Sequence, residues 1–229
     1  MIKTLALDID GTITNKKGML DLEAIEIIRK LEEKGVLTFL ITGRNFCVTS
    51  AIAKYLGTCG LAAAENGGVI WDGFKKIFLG FKERAEEGLK VLMKKFGDKI
   101  VVVNSPYRET DVLVKRTFDL NEANEFLREN GVKARMLDSG VVYHIVDSSV
   151  NKGKALIKLA ETAGINIKDT VAIGDNLNDI DMLREAGFGI AVGNAPKALK
   201  DEADYICKKE FAEGFKEAIF LLFKDLRLK

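Results

Sequence analysis

A chain of 229 residues that is 47% hydrophobic with a formal net charge of +1 has length for one large domain or a domain with an insertion, and its charge balance gives no field drawing nucleic acid or an anionic membrane. The expected partner is a small molecule, with no nucleic acid and no membrane, for a monomer or homodimer. Cys47, Cys59 and Cys207 lack C-x-x-C spacing, no secretory segment is visible, and no apolar run nears the roughly 18 residues of a membrane span, so a reduced, cytoplasmic protein is expected.

Leu5-Ala6-Leu7 with Ile9 reads as a short buried strand, and Asn15-Lys16-Lys17-Gly18 as the turn of a small hairpin or flap. Asp21 caps a helix whose apolar positions Leu22, Ile25, Ile28 and Leu31 recur at helical spacing, with Gly35 ending it. Val36 to Ile41 is a continuous apolar run of the kind buried on both faces of a sheet. A helix stopped by Gly57 and the small-residue strand Leu61–Ala64 follow. From about Glu83 to Ser148 the pattern changes to a helix, the strands Ile100–Val103 and Asp111–Arg116, a helix begun by Asp119, and the strands Lys133–Leu137 and Val141–Val146, as two α-β-β units. Alternation then resumes: a helix from Lys152 to Ala163, the strand Thr170–Ile173, a helix through Met182 and Leu183, the strand Gly189–Val192, a helix near Lys197–Ala203, the strand Tyr205–Cys207 and an amphipathic helix through Ala218–Phe223. Strands and helices in this order predict an α/β fold with a Rossmann-like parallel sheet and helices on both faces, plus an inserted small α+β domain. The boundaries read as residues 1–82 and 149–229 for the sheet domain and 83–148 for the insertion.

Asp8 and Asp10 lie two positions apart at the end of the first strand and so face one space. Two adjacent acids repel unless a cation or a proton intervenes, which suits a bound Mg²⁺ beside an acid/base pair. Alternatively, Asp10-Gly11 is only a hairpin turn. Ligands of open α/β sheets bind beyond the carboxyl ends of the strands. Such ends here also carry Thr42, Asn66 and the loop Gly174-Asp175-Asn176-Leu177-Asn178-Asp179, while Lys152 begins the helix returning from the insertion. That loop lacks the EF-hand pattern, having Leu177 and Ile180 at its third and sixth positions. Phosphoryl transfer needs a nucleophile, a proton donor, a metal and groups on the equatorial oxygens, and each has a candidate. His144, the one histidine, sits in a Val-rich strand far along the chain from the acids and is left outside the site; Cys47 and Cys59 read as buried small hydrophobes.

The set Asp8-x-Asp10-Gly11-Thr12, Thr42-Gly43-Arg44, Asn151-Lys152-Gly153 and Gly174-Asp175-x-x-Asn178-Asp179 resembles the motifs of the haloacid dehalogenase superfamily. The insertion after the third strand resembles the cap of the Cof-like and sugar-phosphate phosphatases, and its brevity, with the first thirty or so residues, is most similar to archaeal phosphoglycolate phosphatases. The resemblance implies a Mg²⁺-dependent phosphomonoesterase of a small phosphorylated metabolite, in which Asp8 is the nucleophile and a metal ligand, and Asp10 the acid/base whose carbonyl touches the metal. It implies that Thr42 and Lys152 hold the phosphoryl oxygens, that Asp175 is a metal ligand, and that Asp179 binds the metal directly or through water. Gly43, Arg44, Asn66 and Asn178 are the further expected substrate-binding residues.

Two other classes share parts of this pattern. A phosphate-accepting receiver domain places its acceptor after the third strand, which here ends in Asn66, and has no inserted layer; a phosphomutase differs only in where the phosphoryl group goes. The small insertion and its cations Arg108, Lys115, Arg116, Lys133 and Arg135 point to a small carboxylated substrate such as 2-phosphoglycolate, because Arg matches a carboxylate bidentately. A broader sugar-phosphate phosphatase is the alternative.

Overall fold

In the computed structural model, which describes residues 2–223, the chain opens with β1 (Thr4–Leu7), α1 (Leu22–Glu33), β2 (Leu37–Ile41), α2 (Phe46–Leu56) and β3 (Ala62–Ala64), then turns back through β4 (Val69–Trp71) and β5 (Lys76–Phe78). The next stretch holds α3 (Lys82–Phe96), β6 (Val112–Val114), α4 (Leu120–Glu129), β7 (Ala134–Asp138) and β8 (Tyr143–Asp147). α5 (Lys152–Ala163), β9 (Thr170–Gly174), α6 (Ile180–Glu185), β10 (Phe188–Ala191), α7 (Lys197–Lys200), β11 (Tyr205–Ile206) and α8 (Phe211–Leu222) follow.

One sheet has eight strands in the order β11-β10-β9-β1-β2-β3-β4-β5, parallel from β11 to β3. The strand alternation divides the core. Leu5 and Leu7 of β1 join Leu40, Ile173 and Phe215 on one face, while Ala6 joins Phe39, Ala172, Leu156 and Met182 on the other. Burial on both faces accounts for the continuous apolar reading of these strands. β1 stands between β2 and β9, with Leu7 level with Leu40 and Ile173. The chain therefore leaves to one side and returns on the other, and the ends of these three strands open on a crevice.

The inserted layer is a three-stranded antiparallel sheet, order β6-β8-β7, with α3 and α4 on one face. α3 sits tightly against it at Gly88, where a Cβ would come within 2.7 Å of the Ala134 Cβ. Side chains tie this layer to the large sheet. The buried Glu65 carboxylate accepts from Thr110 N–H at 2.7 Å, Thr110 Oγ1 at 2.8 Å and Glu109 N–H at 3.0 Å. Asp147, at the end of β8, accepts from Phe81 N–H at 3.3 Å and Ser149 N–H at 2.9 Å, joining the two chain crossings.

The α/β fold and inserted α+β layer match the sequence expectation, with three local departures. The hairpin β4–β5 adds two antiparallel strands to the sheet after the Gly67-Gly68 turn; each has only three residues, too short for a periodic signal. Ile100–Val103 is not a strand: Val102 makes one isolated bridge to Val114, and Val101 and Val102 remain exposed, so the layer runs helix, strand, helix, strand, strand. Cys47 and Cys59 are exposed rather than buried: α2 turns Thr49, Ala53 and Leu56 inward in place of Cys47, and Cys59 lies beyond the end of that helix.

Candidate active site

Asp8 follows β1 directly and still belongs to its ladder, its N–H donating to Ile173 O at 3.2 Å. Thr12 and Ile13 N–H both donate to Ile9 O, and Gly11 N–H to Thr14 Oγ1 at 2.8 Å, closing a tight turn. Gly11 has φ +82°, and a Cβ there would stand 2.0 Å from Asp175 Oδ2. Glycine thus supplies both the left-handed turn and the close approach of the β1 and β9 loops. The hairpin alternative fails, because β1 pairs with β2 and β9 rather than with the segment after the turn.

Lys152, at the first position of α5, is 1% exposed, and its Nζ lies 2.7 Å from Asp8 Oδ1 and 2.5 Å from Asp179 Oδ1. A cation at a helix N-terminus opposes the dipole; here two carboxylates offset it. Burial disfavours the ammonium, yet Asp179 and Asp8 outweigh burial and raise the Lys152 pKa. The other Asp179 oxygen accepts from Asp175 and Asn176 N–H, both at 3.0 Å. Both oxygens of Asp179 are therefore engaged within the protein.

Asp8, Asp175 and Asp179 each offer a carboxylate oxygen, all within 4.8 Å of one another. Burial pushes the Asp8 carboxyl up to about 7, with Lys152 opposing and Asp179 adding to the rise. Burial, then Asp8 and Asp179, push Asp175 up to about 9. One buried ammonium does not balance this concentration of acids. A hard divalent cation would, and the all-oxygen donor set fits Mg²⁺. Asp10 lies apart from the three, its carboxylate held by Arg44 through Nε at 2.7 Å and Nη2 at 2.6 Å.

Thr42 is fixed by its N–H to Ala63 O at 2.9 Å, and its Oγ1 accepts from Arg44 N–H. Glu65 and Asn66 have φ of 53° and 57°, a strained pair of non-glycine residues that directs one side chain to the inserted layer and the other to the site. Asn66 is buried and does not line the cavity: its Oδ1 accepts from Asn178 Nδ2 at 2.8 Å, and its Nδ2 lies 3.3 Å from His144 Nδ1. A cavity of about 270 Å³ opens above this set, with Asp8, Asp10, Thr42, Gly43, Arg44, Asp175 and Asn178 on the sheet side and Arg108, Val142 and His144 on the other.

The family model described as haloacid dehalogenase-like hydrolase matches residues 5–125 and 112–219. The chain belongs to the haloacid dehalogenase-like hydrolases. It is 42% identical over 223 residues to a phosphoglycolate phosphatase of Archaeoglobus fulgidus, covering 96% of each chain. It is 38% identical over 224 residues to one of Methanoculleus marisnigri, again with 96% of each covered. The crystal structure of Thermoplasma acidophilum 0175 superimposes with a TM-score of 0.85 at 25% identity, covering 98% of this chain and 99% of that one. A haloacid dehalogenase-like hydrolase from Bacteroides thetaiotaomicron, at 24% identity and a TM-score of 0.74 over 97% of this chain and 100% of its own, shares the fold.

The hydrolase site also contains residues absent from the sequence-based set. His144, expected to lie outside it, lines the cavity. Its signal was the period of two: Tyr143 and Ile145 pack towards α3 and α4, which turns His144 to the opposite face. Of the five cations of the inserted layer that the sequence offered for a substrate carboxylate, Arg108 alone lines the cavity. Asn194 donates to Gly11 O at 3.1 Å and Asp175 Oδ2 at 3.2 Å while accepting from Phe211 N–H at 2.7 Å, so it anchors the Asp175 side chain. It follows β10, and a polar residue past one more strand end was the available clue.

Proposed function

We propose that this hydrolase is a Mg²⁺-dependent phosphomonoesterase that forms an aspartyl phosphate on Asp8, with 2-phosphoglycolate as its substrate. It is a phosphoric monoester hydrolase. The observation that carries the reading is the placing of Asp8: a carboxylate fixed at a strand end, facing a small cavity, paired with a buried Lys152 and within reach of a second and third acid. Of the described residues, 2–82 and 149–223 form the core in this reading, and 83–148 the cap.

In the first step an Asp8 oxygen forms a bond to phosphorus as the ester P–O bond breaks, and the leaving alkoxide takes a proton from Asp10. Water then attacks the phosphorus and gives its proton to Asp10 while the bond to Asp8 breaks, releasing phosphate. Asp10 must part from Arg44 before either transfer, since both of its oxygens are engaged there. Thr42 and Lys152 orient the phosphoryl group, Lys152 also countering the charge of Asp8. Asp8 and Asp175, with the backbone carbonyl of Asp10, would hold the metal directly, and Asp179, whose oxygens are both taken by Lys152 and backbone N–H groups, would act through water. When bound, Mg²⁺ offsets charge on the acids and polarises the phosphoryl oxygens. Asn66 and Asn178 brace the wall, and Gly43 and Arg44 border the cavity beside Thr42.

The relatives' names motivate 2-phosphoglycolate, and a cavity of about 270 Å³, at the small end for ligand sites, agrees with a two-carbon leaving group. Among the described residues no helix is long and apolar enough to cross a membrane, and we place the enzyme in the cytoplasm. Phosphate release from 2-phosphoglycolate, glycerol phosphate and hexose phosphates tests the assignment. We expect kcat/KM for 2-phosphoglycolate to exceed that for glycerol phosphate by at least about tenfold, the worth of one charge-assisted contact. Equal efficiencies, or a preference for hexose phosphates, would move it to the sugar-phosphate phosphatases.

A further inference from the structure

Three charged or titratable side chains of the cap meet at the cavity. Arg108 is nine-tenths buried, and its Nη1 donates to Asp111 Oδ2 at 2.7 Å while its Nη2 donates to Gly43 O at 2.9 Å. A guanidinium has five N–H donors, so these bonds leave most of them unspent; buried Nε has no partner among the described residues. His144 Nδ1 lies 2.8 Å from the same Asp111 oxygen, which assigns the ring proton to Nδ1. Its Nε2 makes no hydrogen bond among the described residues, and its Cε1 lies against Gly43, where a Cβ would come within 3.6 Å. Asp111 is fully buried, and although burial disfavours its charge, His144 and Arg108 hold its pKa below the ordinary carboxylate range. An ionised carboxylate is kept in such a place only by its partners, and it fixes them in return.

We propose that Arg108 binds a carboxylate on the leaving group of the substrate and sets the preference for carboxylated over uncharged leaving groups, with Asp111 as the residue that positions Arg108 and His144. This rests on the phosphatase reading above. Two features distinguish the cluster from a mere tie between layers. Gly43 O needs one donor, yet a forked cation with unused N–H groups supplies it beside the cavity. Asp111 also grips two side chains that both line the cavity. The planar fork matches a carboxylate through paired N–H donors, which a lysine cannot reproduce. A phosphorylated 2-hydroxy acid has its carboxylate one carbon from the ester oxygen, which brings that carboxylate close to the cleaved bond in a cavity of about 270 Å³.

The test compares wild type, Arg108→Lys and the double variant Arg108→Gln/Asp111→Asn, which strands no buried charge, on 2-phosphoglycolate and glycerol phosphate, with Tm recorded for each. We expect kcat/KM on 2-phosphoglycolate to fall by at least about tenfold more than on glycerol phosphate in both variants, mainly through KM, as loss of a charge-assisted contact to the substrate requires. Asp111→Asn alone should shift selectivity in the same direction by a smaller factor, and competitive inhibition by glycolate should weaken in parallel. Loss by equal factors on the two substrates would overturn the subsite and leave Arg108 as a tie between layers. Folded wild type that releases phosphate from neither ester would instead overturn the phosphatase reading beneath it.

Discussion

The edge of the eight-stranded sheet and the cap face above it both present buried charges to one cavity, but they are held by different means. On the sheet edge each acid is fixed within a few residues of a strand end: Asp8 by the ladder to Ile173, Asp179 by the N–H groups of Asp175 and Asn176, with Lys152 bridging Asp8 and Asp179. In the cap, Arg108, Asp111 and His144 hold one another across separate segments, and they meet the sheet side at two polar groups, the Gly43 carbonyl and the Asn66 amide. The geometry of the edge is dictated by the sheet itself, whereas that of the cap depends on how two layers dock. In the proposed mechanism the bond-making groups accordingly belong to the edge, and the groups proposed to select the leaving group to the cap.

The largest effect expected from this division is at Asp8. Asp8→Asn keeps the shape but removes the anionic nucleophile, and activity on every phosphomonoester should drop by several orders of magnitude. Brief exposure of wild type to substrate followed by borohydride should mark Asp8; persistent absence of the mark would sink the covalent mechanism. A substrate-selective loss in this variant would break the division of labour, because a group on the edge acts on the phosphoryl group common to all substrates.

The second effect separates two acids that share one loop. Asp175→Ala should abolish Mg²⁺-dependent turnover, since its carboxylate is a direct ligand in the proposed site. Asp179→Ala should chiefly raise the Mg²⁺ concentration needed, because its oxygens serve Lys152 and backbone donors. Magnesium titrations of the two variants, read beside Tm, check this. Full wild-type activity in excess EDTA would refute metal dependence altogether.

The same contrast explains what the sequence revealed. Asp8, Thr42, Asp175 and Asp179 were legible because each follows a strand whose apolar run is plain, and the position past a strand end has a fixed meaning in a parallel sheet. Lys152 was legible as an electrostatically unfavourable first residue of a helix. Arg108 was legible only as one of five cations of the insertion, and His144 was read outside the site, because the contacts that place them, His144 to Asp111 and Arg108 to Gly43, span 33 and 65 residues, and no local period encodes the docking of two layers. Asn66 was half legible: its strand-end position was read correctly, but the left-handed backbone of Glu65 and Asn66 that turns it into the wall has no sequence pattern in non-glycine residues.

The smallest expected effect concerns the junction between the two regions. The Asp147 carboxylate lies fully buried where β8 leaves the cap; burial disfavours its charge, but the Ser149 N–H and Oγ–H that donate to it, followed by Arg84, hold its pKa below the ordinary value. A folded-state pKa below the unfolded one means that the stabilisation is fully present above the unfolded value, about 4, and is lost as pH falls through the folded value. Asp147→Asn mimics the protonated group. The Tm gap between wild type and this variant should therefore be constant from neutrality down to about pH 5 and narrow below about pH 4. Because Asp147 also accepts from Phe81 N–H, hydrogen exchange at the two crossings should rise in the variant while the β1 and β9 amides stay protected. Loss of protection spread evenly over both sheets would mean that edge and cap open as one unit, and the two regions would then differ in chemistry but not in mechanics.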